Sequence, residues 1–110
     1  MPLYLTQFAY TAETWAALTR NPEDRSTYLD SFCAELGCRL VGMYYAFGEY
    51  DGFVILEAPD EMAASAFAVA VAASGSLKAL RTTTLLTPAR LVETLRRADG
   101  VIFRPAGRSA

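Results

Sequence analysis

Apolar positions recur along this chain with periods that separate strands from helices. Residues 3–10, Leu-Tyr-Leu-Thr-Gln-Phe-Ala-Tyr, are aromatic and apolar in the manner of a strand. Thr11 is placed to cap a short helix over 12–19, with Glu13 favourable in its first turn. Asn21-Pro22 reads as an N-cap followed by a first helical residue. Beyond it, Tyr28, Leu29, Phe32, Cys33 and Leu36 recur at helical spacing. That stripe predicts a helix over 22–36, closed by Gly37 as a left-handed cap.

Residues 38–47 read as a second strand, 48–52 as a turn and 53–58 as a third strand stopped by Pro59. The short connection predicts an antiparallel hairpin. Asp60 caps an Ala-rich helix over 61–74, in which Ser65 is the only polar side chain from Met62 to Ala73. A helix apolar all round is normally covered on more than one face. Ser74-Gly75-Ser76 ends it, and Leu77–Leu86 forms a fourth strand stiffened by Thr82, Thr83 and Thr84. Thr87-Pro88 opens a last helix over 88–98, with Leu91, Val92 and Leu95 on one face. One domain therefore spans 1–98, and a tail spans 99–110. In the tail Val101, Ile102 and Phe103 are candidates to dock on the domain or on a partner, and the final residues are expected to be disordered.

The order is βαββαβ with an extra C-terminal helix. This predicts an α+β, ferredoxin-like fold, with a four-stranded antiparallel sheet and helices on one face. Strand one lies between strands three and four. Period-two reading sets Tyr4, Thr6, Phe8 and Tyr10 against Leu3, Leu5, Gln7 and Ala9. It sets Val41, Met43, Tyr45 and Phe47 against Leu40, Gly42, Tyr44 and Ala46. Neither set is polar throughout, so both sheet faces call for cover.

Composition strengthens that point. Residues of the AVILMFWYC set make up 53% of the chain, and 19 of its 110 residues are Ala. A small domain has much surface for its volume, so part of this excess stays exposed in a monomer. The expected partner is the chain itself, a homodimer or higher homo-oligomer through the sheet face. There is no histidine. That removes the Ser-His-Asp triad, the Cys-His pair, His-ligated haem and the usual zinc or non-haem iron sites. No metal and no cofactor are expected. The net charge of −2 argues against nucleic acid, and no apolar run reaches membrane-span length. The start lacks a basic region and reads as a strand rather than a signal peptide. Cys33 and Cys38 then read as reduced thiols in a cytoplasmic chain.

Gly48-Glu49-Tyr50-Asp51 is a G-x-Y-D element. Around it stand Met1-Pro2-x-Tyr4, Gly37 before strand two and Tyr44 four residues before Gly48. Glu57-Ala58-Pro59-Asp60 follows strand three, and Thr82-x-Thr84 leads to Thr87-Pro88. On these features the chain resembles the GYD domain family over residues 1–98. The resemblance implies a ferredoxin-like fold of the dimeric α/β-barrel type, in which two sheets pack through their helix-free faces. It implies no particular reaction. The chain departs from the plainer pattern in its Thr-rich fourth strand and in the tail.

Several polar side chains are candidates for a site. In the turn, Gly48 and Gly52 supply unusual backbone angles and Asp51 bonds local N–H groups. Alternatively Glu49, Tyr50 and Asp51 rim a pocket, with a carboxylate as base and a phenol as donor. Tyr44 and Tyr45, with neighbouring aromatics, line a ligand cavity or simply fill the core. Gln7, Glu57 and Arg81 are polar members of apolar strands. With matched registers Gln7 lies between Glu57 and Arg81, where they either orient a polar substrate, with Glu57 as a base of raised pKa, or fix register as an ion pair. Cys33 reads as a buried thiol, and Cys38 has only Arg39 beside it as an activating cation. Ser74-Gly75-Ser76 reads as a polar loop or an anion-binding turn.

Two functions are consistent with these residues. One is a small homo-oligomeric protein binding a small organic ligand between its sheet and a partner, through Gln7, Tyr44, Tyr45, Arg81 and Glu49. The other is a cofactor-independent isomerase, cyclase or monooxygenase-like enzyme for a small aromatic or carbonyl compound. It would use Glu57 or Asp51 as base and Tyr50 as donor.

Overall fold

A computed structural model of the chain describes residues 1–107. The disorder expected at the C-terminus falls on 108–110, outside the described residues. Strand β1 (Leu3–Tyr10) runs through the interior of a four-stranded antiparallel sheet of order β2-β3-β1-β4. Its companions are β2 (Arg39–Tyr45), β3 (Gly52–Glu57) and β4 (Leu77–Leu85). Helices α1 (Ala12–Arg20) and α2 (Arg25–Glu35) connect β1 to β2. Helix α3 (Glu61–Ala73) connects β3 to β4, and α4 (Pro88–Ala98) follows β4. This is the ferredoxin-like order with two helices in its first crossover and one added at the end.

The helices start where side chains satisfy the free N–H groups of the first turn. Thr11 accepts from Thr14 N, Asp60 from Ala63 N and Thr87 from Arg90 N. Asn21-Pro22 does not start α2. Asn21 instead donates its N–H to Ala17 O and closes α1, while Asp24 caps α2 by accepting from Ser26 N. A residue before proline is pushed out of the helical region, which ends α1 at Asn21; the negative Asp24 carboxylate is favoured at the start of α2 by the helix dipole. At the other end of α2, Cys38 N donates to Cys33 O and Gly37 N to Ala34 O. With Gly37 at φ 73°, this is a complete Schellman stop.

The core lies between the sheet and the helices. Tyr4, Thr6, Phe8 and Tyr10 of β1 and Val54 and Leu56 of β3 face it, and all six are buried. Cys33, Ala64 and Phe67 meet them from α2 and α3. Thr6 is a buried hydroxyl, paired with Thr82 Oγ1 at 3.1 Å. In β2 the expected alternation fails. A bulge between Leu40 and Gly42 sets Leu40 opposite Leu56 and Met43 opposite Val54. Both therefore face the core, and Val41 is the extra residue, left exposed.

The opposite sheet face carries no helix. Its side chains form three cross-strand rows. The first runs Arg39, Glu57, Leu3, Leu85, and the second Gly42, Ile55, Leu5, Thr83. The third runs Tyr44, Phe53, Gln7, Arg81. Leu3, Leu5, Phe53 and Ile55 lie at its centre and are only half-buried.

The C-terminal arm stands off this body. No residue of α4 is buried, and Leu91, Val92 and Leu95 are exposed. Val101, Ile102 and Phe103 are exposed too, so they do not dock on their own domain. The molecule is 62 Å long with a radius of gyration of 18.0 Å, against about 13 Å for a compact chain of this length.

Candidate functional site

The Gly48–Gly52 turn is built for latching. Asp51 N donates to Phe8 O at 2.8 Å, and Ala46 N donates to Asp51 O at 2.9 Å. The Asp51 carboxylate accepts the backbone N–H of Tyr10 at 2.8 Å and the Trp15 indole N–H at 3.1 Å, both on the same oxygen. The partners are distant in sequence rather than local, so the turn is tied to the end of β1 and the start of α1. The backbone angles also differ from expectation. Phe47, not Gly48 or Gly52, holds positive φ, at 53°. Gly52 serves close approach instead: a Cβ there would lie 2.7 Å from both the Phe8 ring and the Tyr44 carbonyl oxygen.

Glu57 is held by Arg39, with Arg39 Nη2 donating at 2.7 Å and Nε at 3.2 Å. The guanidinium holds the Glu57 carboxyl below its ordinary range. That is the opposite of the raised value a general base requires here. The register also separates Glu57 from Gln7. Gln7 lies opposite Arg81 as expected, but its neighbour on β3 is Phe53, while Glu57 lies opposite Leu3. Asp51 and Glu57 are six positions apart, roughly 20 Å along an extended chain, and Glu57 belongs to the helix-free face. Tyr50 and Asp51 share the turn, so the three proposed catalytic residues do not converge.

Of the proposed ligand-binding residues, Gln7, Tyr44 and Arg81 do share one row of the helix-free face. The Tyr44 ring lies tilted against Phe53 at 5.6 Å between centroids. Tyr45 belongs to the opposite face, where its hydroxyl meets Tyr10 OH at 3.0 Å. Glu49 is exposed in the turn. Burial, then the Tyr45 hydroxyl, raises the Tyr10 pKa well above the phenol range, so Tyr10 stays protonated. The thiols are inert for the same reason. Burial pushes Cys33 up to about 11 and also raises Cys38.

A partly open cavity lies on the helix side of the sheet. It has a volume of about 140 Å³ and is floored by Thr6, Phe8, Val54 and Leu80 and roofed by Phe32 of α2 and Phe67 of α3. Two of its hydroxyls are engaged by residues behind the wall, Thr6 with Thr82 and Tyr10 with Tyr45. Its floor and roof are mostly apolar, and its polar lining is Arg25, Tyr28, Ser74 and Ser76. Tyr10, Arg25, Ser74 and Ser76 line it and also line a wider cleft of about 640 Å³ beside α1. At this junction Arg25 lies 4.8 Å over the Tyr28 ring and 3.4 Å from Glu23. Phe32 belongs to the α2 stripe visible in the sequence. Arg25 has no sequence signal, because only the α2–sheet gap gives it a role. Among the described residues no cluster of acidic or thiol side chains could hold a metal ion, and no helix is long and apolar enough to cross a membrane.

No curated protein matches the chain. Among solved structures it is similar to one described as the crystal structure of FFRP-DM1, at 16% identity and a TM-score of 0.50. That match covers 78% of this chain and 100% of the other, and it speaks to the fold. The GYD domain matches residues 4–95, which include the latch at Asp51, the bulged β2 and all of the four strands but Leu3; the chain belongs to the GYD domain family.

Proposed function

We propose that this GYD-family chain is a homo-oligomeric binding protein for a small, largely apolar organic molecule. The cavity between the sheet and helices α2 and α3 carries this reading. Its volume of about 140 Å³ is close to that of apolar cavities, about 150 Å³, that take up benzene. The ligand class is a single ring or a short branched chain, its polar end directed to Arg25, Ser74 and Ser76. The half-buried apolar centre of the helix-free face supports a second copy as the partner there, with Gln7, Tyr44 and Arg81 at the edge of that contact. The enzyme reading has less support, since Asp51 and Glu57 are both engaged in bonds that hold the fold.

The test is a titration of isotope-labelled protein with toluene and with benzoate, followed by amide chemical shifts. Shifts concentrated at Phe32, Phe67, Val71 and Leu80 are expected, lost in a Val71→Phe variant that fills the cavity and stays folded. Absence of shifts at these residues with both probes at millimolar concentration would remove the proposal. Light scattering tests assembly separately: a mass near 12 kDa would contradict the oligomer.

A further inference from the structure

Helix α3 has two apolar faces, and the sheet uses only one. Ala64 and Phe67 are buried, while Met62, Ala66, Val69 and Ala73 are exposed. The exposed four recur at i, i+4, i+7 and i+11, which is one stripe of a helix. Helix α4 carries the matching stripe, Leu91, Val92, Leu95 and Ala98, also exposed. Two unpartnered helix stripes in one chain are complementary in length, about 20 Å for α3 and about 16 Å for α4.

We propose that α4 docks antiparallel on the outer face of α3 in a second copy of this chain. Antiparallel alignment sets Leu91 against Val69, Leu95 against Ala66 and Ala98 against Met62, so each large side chain meets a small or branched one. It also sets the basic end of α4, Arg96 and Arg97, beside the acidic start of α3, Asp60 and Glu61. Opposed helix dipoles favour the same direction. The occupant is a second copy rather than the same chain because α4 is carried outward. No residue of α4 is buried, and the arm brings the molecule to 62 Å in length. Two copies exchanging arms close as a twofold pair, in which the same two surfaces are used twice. The proposal stands whether or not the cavity binds a ligand.

The experiment uses two full-length single variants, Leu91→Cys and Val69→Cys. They are mixed, equilibrated and oxidised, and the disulfides are mapped by mass. Both positions are exposed, and the native Cys33 and Cys38 are buried, so folding and background linkage are controlled. The expected result is a 69–91 disulfide between the two chains as the main product. Failure to form it overturns the proposal, as does a 91–91 link, which would mean arm-to-arm pairing. In the double variant at high dilution, a 69–91 link within one chain would assign the arm to its own α3 and overturn it equally. Arg96→Glu with Arg97→Glu should weaken association, and Glu61→Arg in the same chain should restore it; association unchanged by the Arg variants would remove the charge alignment.

Discussion

Asp51 and Trp15 are joined by an indole N–H that donates to the carboxylate at 3.1 Å, on the same oxygen that takes the Tyr10 backbone N–H at 2.8 Å. The signature turn thereby fixes the end of β1 and the start of α1 through one atom. Asp51→Ala leaves both donors without their acceptor. The expected loss is roughly 1–3 kcal/mol of stability, with Asp51→Asn losing less because it keeps an acceptor. Denaturant midpoints followed by fluorescence of Trp15, the single tryptophan, measure it; a wild-type midpoint for the Ala variant would contradict the latch.

Gly52→Ala tests close approach rather than backbone angle. The new methyl meets the Phe8 ring and the Tyr44 carbonyl, each at 2.7 Å. The ring can turn, but the carbonyl belongs to the β2–β3 ladder and cannot move without breaking pairing. A destabilisation of about 1–3 kcal/mol is expected. Gly48→Ala, where a Cβ meets nothing within 4 Å, should stay near wild type. Equal effects at the two positions would sink the explanation.

Cys33 predicts a loss of stability in alkali. Its thiol has an ordinary value of 9.0 and is pushed up to about 11 by burial. The unfolded chain releases this proton first, so its stabilisation is complete below about pH 9 and lost as pH rises towards 11. The slope in that window is on the order of 1 kcal/mol per pH unit, and Tyr10, raised as well, adds to it at higher pH. Cys33→Ala should flatten the 9–11 limb while lowering stability at pH 7. An unchanged limb would show that another group carries it.

The element order, three of the four caps and the position of β1 were legible in the sequence, because periodicity and capping are local. Gln7 opposite Arg81 was expected only for matched registers, and the β1–β4 register does match. Glu57 did not join them, since β3 is anchored at Gly52 and reaches Glu57 only at the far end of the sheet, where Arg39 meets it. The bulge at Val41 left no mark in the pattern, and one extra residue was enough to move Leu40 to the other face. The cavity was illegible for a different reason. Its volume is set by how far Phe32 and Phe67 stand above Thr6 and Leu80, and spacing along the chain does not encode distance between layers.

The bulge at Val41 has a consequence for the sheet's open sides. Strands β2 and β4 are both edges, and an unpaired edge invites a foreign strand to extend the ladder. At β2 the bulge breaks the regular sequence of free N–H and C=O groups, and Arg39 adds a charge. At β4, Lys78 and Arg81 place two cations along nine residues. Such devices discourage lateral growth into fibre-like stacks. A chain that leaves an apolar sheet face open is thus guarded against runaway polymerisation at its sides.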